Sequence, residues 1–155
     1  MPTFKQFSSK EPISSLIKAT FDVDLPISGR WGYTQALATI INTGLENTPL
    51  HQLQHMIASM RTYLEMNITL PKEERYGSIN LNEKKREIWQ KEKKTYHKVI
   101  YEISAIKEDI YATFIDEYKE GYGEESFDIV SHFQQRKEMT LIRIEPHWFE
   151  VSHII

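Results

Sequence analysis

The sequence predicts a single α+β domain over residues 1–155, with an antiparallel sheet of about four strands and helices packed mainly on one face. Three observations carry that expectation. Tyr96 to Ala105 alternates strictly, with Val99, Tyr101, Ile103 and Ala105 on one side and Lys98, Glu102 and Ser104 on the other. This is the pattern of a half-buried strand. Leu50, Leu53, Met56, Ile57, Met60 and Leu64 make a helical stripe long enough to cover a sheet. From Tyr96 to Val151 the order reads strand, helix, helix, strand, a unit that needs a further layer over its apolar face.

In chain order, residues 1–10 are polar and small and read as a loosely held terminus. Glu11 to Phe21 predicts a short helix, with Ser9 as a cap, Pro12 in the first turn, and Ile13, Leu16 and Ile17 sharing a face. Phe21, Val23 and Leu25 alternate with aspartates, as an edge strand ending at Pro26 would. For Ala38 to Thr43 the β-branched residues favour a strand over a helix. Thr48-Pro49 opens the long helix, which is expected to end near Asn67. Leu70 to Leu81 reads as mainly irregular, with a short strand at Ser78 to Leu81. Asn82 to Thr95 alternates lysine and glutamate around Ile88 and Trp89, and is expected as a short surface helix or a charged loop.

After the central strand, Ile110, Phe114, Ile115 and Tyr118 form the apolar face of a helix that Gly121 stops. Ser126 is the expected cap of the next helix, with Phe127, Val130 and Phe133 pointing inward. Thr140 to Val151 is the final strand. Pro146 within it requires an edge position or a bend.

Ser28-Gly29-Arg30-Trp31-Gly32-Tyr33 is the stretch that reads most like a binding element. Its glycines permit positive φ and close backbone approach. A rigid turn displaying Arg30, Trp31 and Tyr33 has the composition of interface hot spots, and the competing reading puts Trp31 in the core. Leu25-Pro26-Ile27-Ser28-Gly29-Arg30-Trp31-Gly32-Tyr33 resembles the opening of small, uncharacterised bacterial α+β proteins with a Leu-Pro-Ile-Ser-Gly-x-Trp-Gly-Tyr segment. The resemblance implies a bacterial protein and brings no activity, cofactor or catalytic residue.

Other motifs weigh little. Gly29-Arg30-Trp31-Gly32 matches the short loop of KH domains in form only, because those loops join two helices in a basic face. His51 and His55 have metal-ligand spacing, but Gln52 stands where a zinc protease has its glutamate, and the pair lies opposite the apolar stripe. His147 and His153 lie too far apart along a strand to share an ion. No phosphate-binding loop, nucleophile elbow or isolated carboxylate pair is present. No catalytic residue, metal site or cofactor is therefore expected.

Composition narrows the function classes further. There are no cysteines, so disulfides, thiolate metal sites and a Cys nucleophile are excluded, which suits a reducing cytoplasm. No signal-like or membrane-length apolar run appears. The net charge of −3 is unevenly spread. Glu83 to Lys94 holds six basic and three acidic residues, whereas Glu102 to Asp128 holds nine acidic residues and two lysines. That acidic field disfavours nucleic acid. The expected function is a small, non-catalytic protein-interaction module of regulatory or immunity type, with a protein partner. The alternative is a small-molecule or enzymatic site around Arg30, Trp31 and Tyr33, completed by His97 or Tyr101.

Overall fold

A computed structural model describes residues 6, 7 and 11–154. The expected loose terminus, apart from Gln6 and Phe7, and the Ser9 cap lie outside the described residues. The elements are α1 (Ile13–Phe21), β1 (Ile27–Gly29), β2 (Thr39–Ile41), α2 (Leu50–Tyr63), β3 (Tyr76–Lys91), β4 (Lys94–Lys107), α3 (Glu108–Gly121), α4 (Ile129–Met139) and β5 (Leu141–Glu150). Helix α2 continues into a π-helical turn, Leu64–Ile68. Among the described residues no helix is long and apolar enough to cross a membrane.

The class is α+β, but the sheet has five strands and is mixed rather than antiparallel, in the order β1-β2-β5-β4-β3. The one parallel pair joins β2 to β5 through Thr39 beside Phe149 and Ile40 beside Glu150. That pairing spans more than a hundred residues, and no local pattern announces it.

Strand β4 alternates as its sequence requires: Val99, Tyr101, Ile103 and Ala105 are buried, and Lys98, Ile100, Glu102 and Ser104 are partly exposed. Against that face pack Ile13 and Ile17 of α1 and Leu53, Ile57, Ala58 and Leu64 from α2 and its extension. Ile106 and Phe114 are buried outside this cluster, where α3 meets the ends of β3 and β4.

The charged stretch from Asn82 to Thr95 is neither helix nor loop. It completes a hairpin in which β3 pairs with β4 as far as Lys91 and Lys94. The turn residues Glu92 and Lys93 both have positive φ, 51° and 66°, as a two-residue I′ turn demands. Glu-Lys replaces the Asn-Gly that usually marks this turn. Strand β3 is also an edge strand, where alternating charge discourages pairing with other chains.

Three smaller expectations change. Asp22 to Pro26 is irregular, and the strand follows Pro26 instead of preceding it. The cap of α4 is Asp128, whose Oδ1 accepts from the Ser131 amide at 3.0 Å, not Ser126. Its inward residue is His132, so the helix is rotated from the expected orientation, and Val130 and Phe133 face outward at 77% and 46% exposure.

Pro146 sits inside β5. Trp148 donates its amide to the Gly32 carbonyl at 2.8 Å, away from β4. Two residues earlier, the position of Pro146 points the same way, so its missing N–H costs no bond in the β4–β5 ladder.

Gly32 shows how closely the loop between β1 and β2 lies on β5. Its φ is +79°, and a Cβ there would stand 2.1 Å from Cδ2 of His147. Gly32→Ala is expected to cost about 2–4 kcal/mol from backbone strain and overpacking together. Urea unfolding of the variant measures it.

Candidate functional site

The loop carrying the predicted site residues runs between β1 and β2, so its Gly-x-x-Gly element joins two strands rather than two helices. The structure separates its three side chains. Arg30 is exposed. Trp31 is 5% exposed and belongs to the hydrophobic core, with the Phe7 ring edge-on to it at 5.3 Å. Tyr33 is half-buried, accepts from the Phe7 amide at 2.7 Å and donates to Oε2 of Glu65 at 2.5 Å.

Beneath the loop lies a polar cluster that periodicity did not point to. Arg61, on α2, is 1% exposed. Its Nη1 donates to the Trp31 carbonyl at 3.2 Å and its Nη2 to the Pro146 carbonyl at 2.9 Å. The guanidinium lies over the Tyr33 ring, 4.4 Å from its centre. Glu65 is 2% exposed, and its second oxygen accepts from Arg143 Nη2 at 3.1 Å. Burial lowers the Arg61 pKa and raises that of Tyr33, whose ionised form Glu65 also opposes. A phenol held in its neutral form donates to a carboxylate. The signal in the sequence was Arg61 itself, a charge four residues after Ile57 on the apolar stripe.

His147 borders the same cluster. Thr39 Oγ1 donates its single proton to the Arg30 carbonyl at 2.7 Å, so its 2.9 Å contact with His147 Nε2 has the imidazole as donor. The ring is neutral, stacked on Phe149 at 4.2 Å, and its Nδ1 has no partner. Burial, with Arg61 nearby, holds its pKa well below the ordinary value.

His97 and Tyr101 do not join the loop. Buried Gln54 and Arg86 surround His97: Arg86 Nη1 donates to Gln54 Oε1 at 2.6 Å and to His97 Nδ1 at 3.0 Å, while its other nitrogens bond Glu83. Tyr101 is buried with its hydroxyl unpartnered. These residues hold β3, β4 and α2 together. The His51–His55 pair is exposed, and His55 Nε2 donates to the Leu81 carbonyl at 3.0 Å.

Two surface features remain. A groove of about 550 Å³ lies between α2 and β3, away from the Arg30 loop, and is walled chiefly by Phe21, Met56, Met60, Tyr63, Ile79 and Leu81. On the α3–α4 hairpin, Tyr122 is exposed within the acidic stretch, and Ile129, Val130 and Phe133 are exposed just beyond its end at Asp128. Comparison with protein-family models, with curated proteins and with solved structures finds no match to the chain.

Two predictions arise from the cluster. Glu65→Ala leaves Arg61, Arg143 and Tyr33 without their shared carboxylate and is expected to cost about 3–5 kcal/mol, read by chemical denaturation. For His147, full stability is present above the ordinary imidazole value of 6.5. Below it the unfolded chain binds a proton that the folded one refuses. Stability then falls by up to about 1.4 kcal/mol per pH unit for each such histidine. His97, also lowered by burial and Arg86, contributes with the same sign. Denaturation midpoints measured across this range are expected to drop on the acid side, with a shallower slope in His147→Gln.

Proposed function

We propose that the protein is a non-catalytic interaction module of regulatory or immunity type, acting through a basic protein partner that docks on the α3–α4 hairpin. The observation that carries this reading is the exposure of Val130 at 77% and Tyr122 at 70%, beside Ile129 and Phe133, on an acidic hairpin. Large apolar side chains left in water next to one another mark interaction surfaces. Among the acidic residues here, Glu120, Glu124, Glu125 and Asp128 carry a field that attracts a positive partner and speeds its encounter.

The hairpin also has the rigidity such a surface needs. His132, 4% exposed, sits between the rings of Phe114, Tyr118, Phe127 and Phe133 at 5.2–5.8 Å, fixing α4 on α3. The buried side of the Arg30–Tyr33 loop serves the scaffold, leaving the exposed Arg30 side chain as what the loop offers a partner. A bacterial, cytoplasmic setting fits the loop resemblance and the absence of cysteine.

The test uses immobilised wild-type protein, Val130→Asp and the charge reversal Glu124→Lys/Glu125→Lys. All these positions are exposed, so folding should change by less than about 0.5 kcal/mol. A basic partner recovered stoichiometrically from host lysate is expected to bind each variant at least about tenfold more weakly, and to weaken as salt is raised. A partner that binds all three proteins equally, or an acidic one, contradicts the proposal.

A further inference from the structure

The groove between α2 and β3 follows the outer edge of the sheet. Strand β3 is an edge strand, and no described strand pairs with its far side. Which of its residues point outward follows from the ladder. The Val151 amide bonds the Thr95 carbonyl, so odd-numbered residues of β4 turn their backbone groups toward β5 and even-numbered ones toward β3. Leu81 stands opposite Ile103, so its N–H and C=O face away from the sheet. The contact with His55 agrees: the imidazole reaches the Leu81 carbonyl at 3.0 Å, supplying from α2 the donor that a neighbouring strand would supply. Among the described residues nothing plays that part for the Leu81 N–H.

Charge along this edge is segregated. Five consecutive charged residues, Glu83 to Glu87, guard it beyond the groove. Ser78 to Asn82 has none, and this is the stretch beside the groove wall formed by Ile79 and Leu81. The opposite wall is α2 from Gln52 to Tyr63, about 16 Å at 1.5 Å per residue. That length equals about five extended residues, of which three turn the same way. Two of the polar side chains along the wall are engaged with protein: His55 bonds Leu81, and its Nδ1 lies 3.5 Å from Ser59 Oγ, while Gln52 stays exposed at one end. Recognition of backbone by backbone, with apolar side chains seated between, is what the groove offers.

We infer that this groove is a second binding site, for an extended, uncharged peptide segment of a partner protein, apolar at alternate residues, that adds to β3 as a sixth strand. The bulge between Gly77 and Asn80 ends the usable edge on one side and the charged run ends it on the other. Affinity comes from the ladder around Leu81, and selectivity from side chains placed among Phe21, Met56, Met60 and Tyr63. The site is separate from the α3–α4 surface and stands or falls without it.

The probe is a phage-displayed library of random heptapeptides selected on wild-type protein and counter-selected on Ser59→Trp, whose indole would fill the groove. Enriched peptides are expected to carry apolar residues at every second position. Synthesised with fluorescein, they should bind Ser59→Trp at least about tenfold more weakly. N-methylation of the peptide residue opposite Leu81 should abolish binding, and N-methylation of the residues on either side of it should not, as strand addition requires. A readout independent of that variant's folding is the Leu81 amide of wild type, whose hydrogen exchange should slow when peptide is added. Failure to enrich any peptide that distinguishes the two proteins overturns the inference. So do helical spacing of the apolar residues, indifference to N-methylation, or a Leu81 amide that peptide does not protect.

Discussion

A buried guanidinium is what the described fold depends on most. Arg61 has almost no contact with water, and its two terminal nitrogens end on carbonyls from the β1–β2 loop and from β5. A charge in such a place is tolerated only when it is opposed and most of its donors are met. Here Nε is left without a partner, and the charge is opposed by Glu65 one turn further along the helix, with Tyr33 stacked beneath and Arg143 sharing the carboxylate. The loop that looked like a display element is thereby held from below. Its Trp fills the core, its Tyr closes the ion cluster, and its Gly32 passes against His147 with no room for a Cβ.

The cluster also accounts for an inversion in β5. In its first half Arg143 turns toward the helices, while Ile142 and Ile144 face outward at 43% and 62% exposure. An arginine turned inward would be costly opposite an apolar layer, but opposite Glu65 it is paired. Past Pro146 the ordinary pattern returns, with His147, Phe149 and Val151 buried. One strand thus changes from facing a polar cluster to facing the core within a few residues, and hydropathy alone would have assigned its first half to the wrong side.

Much of the architecture could be read from the sequence where one physical signal dominated. Strand β4 alternates because one face is dry, and α2 shows its stripe for the same reason. The β3 hairpin was hidden because an edge strand carries charges where a central one carries valines, and because Glu92-Lys93 adopts the conformation that Asn-Gly usually reports. The parallel β2–β5 pair was hidden because contact between distant residues leaves no local periodicity. Aromatic composition drew attention to Trp31, and composition does not say on which side of a loop a ring falls. Arg61 was visible as a charge on an apolar stripe, but its partners Glu65, Arg143 and Tyr33 come together only in three dimensions. The exposed hairpin residues Val130 and Phe133 were read as core because a cap displaced by two residues rotates the whole helix.

The claim that Arg61 makes the β1–β2 loop part of the cooperative core is tested most directly by native-state hydrogen exchange. The Gly32 amide, bonded to the Leu37 carbonyl at 2.7 Å, and the Trp148 amide, bonded to Gly32, are the two reporters. If the buried cluster binds the loop into the core, both amides exchange only through global unfolding, with the same free energy and denaturant dependence as Val99 and Ile103. Exchange of Gly32 and Trp148 through a local opening, insensitive to denaturant and well below the global value, would contradict it.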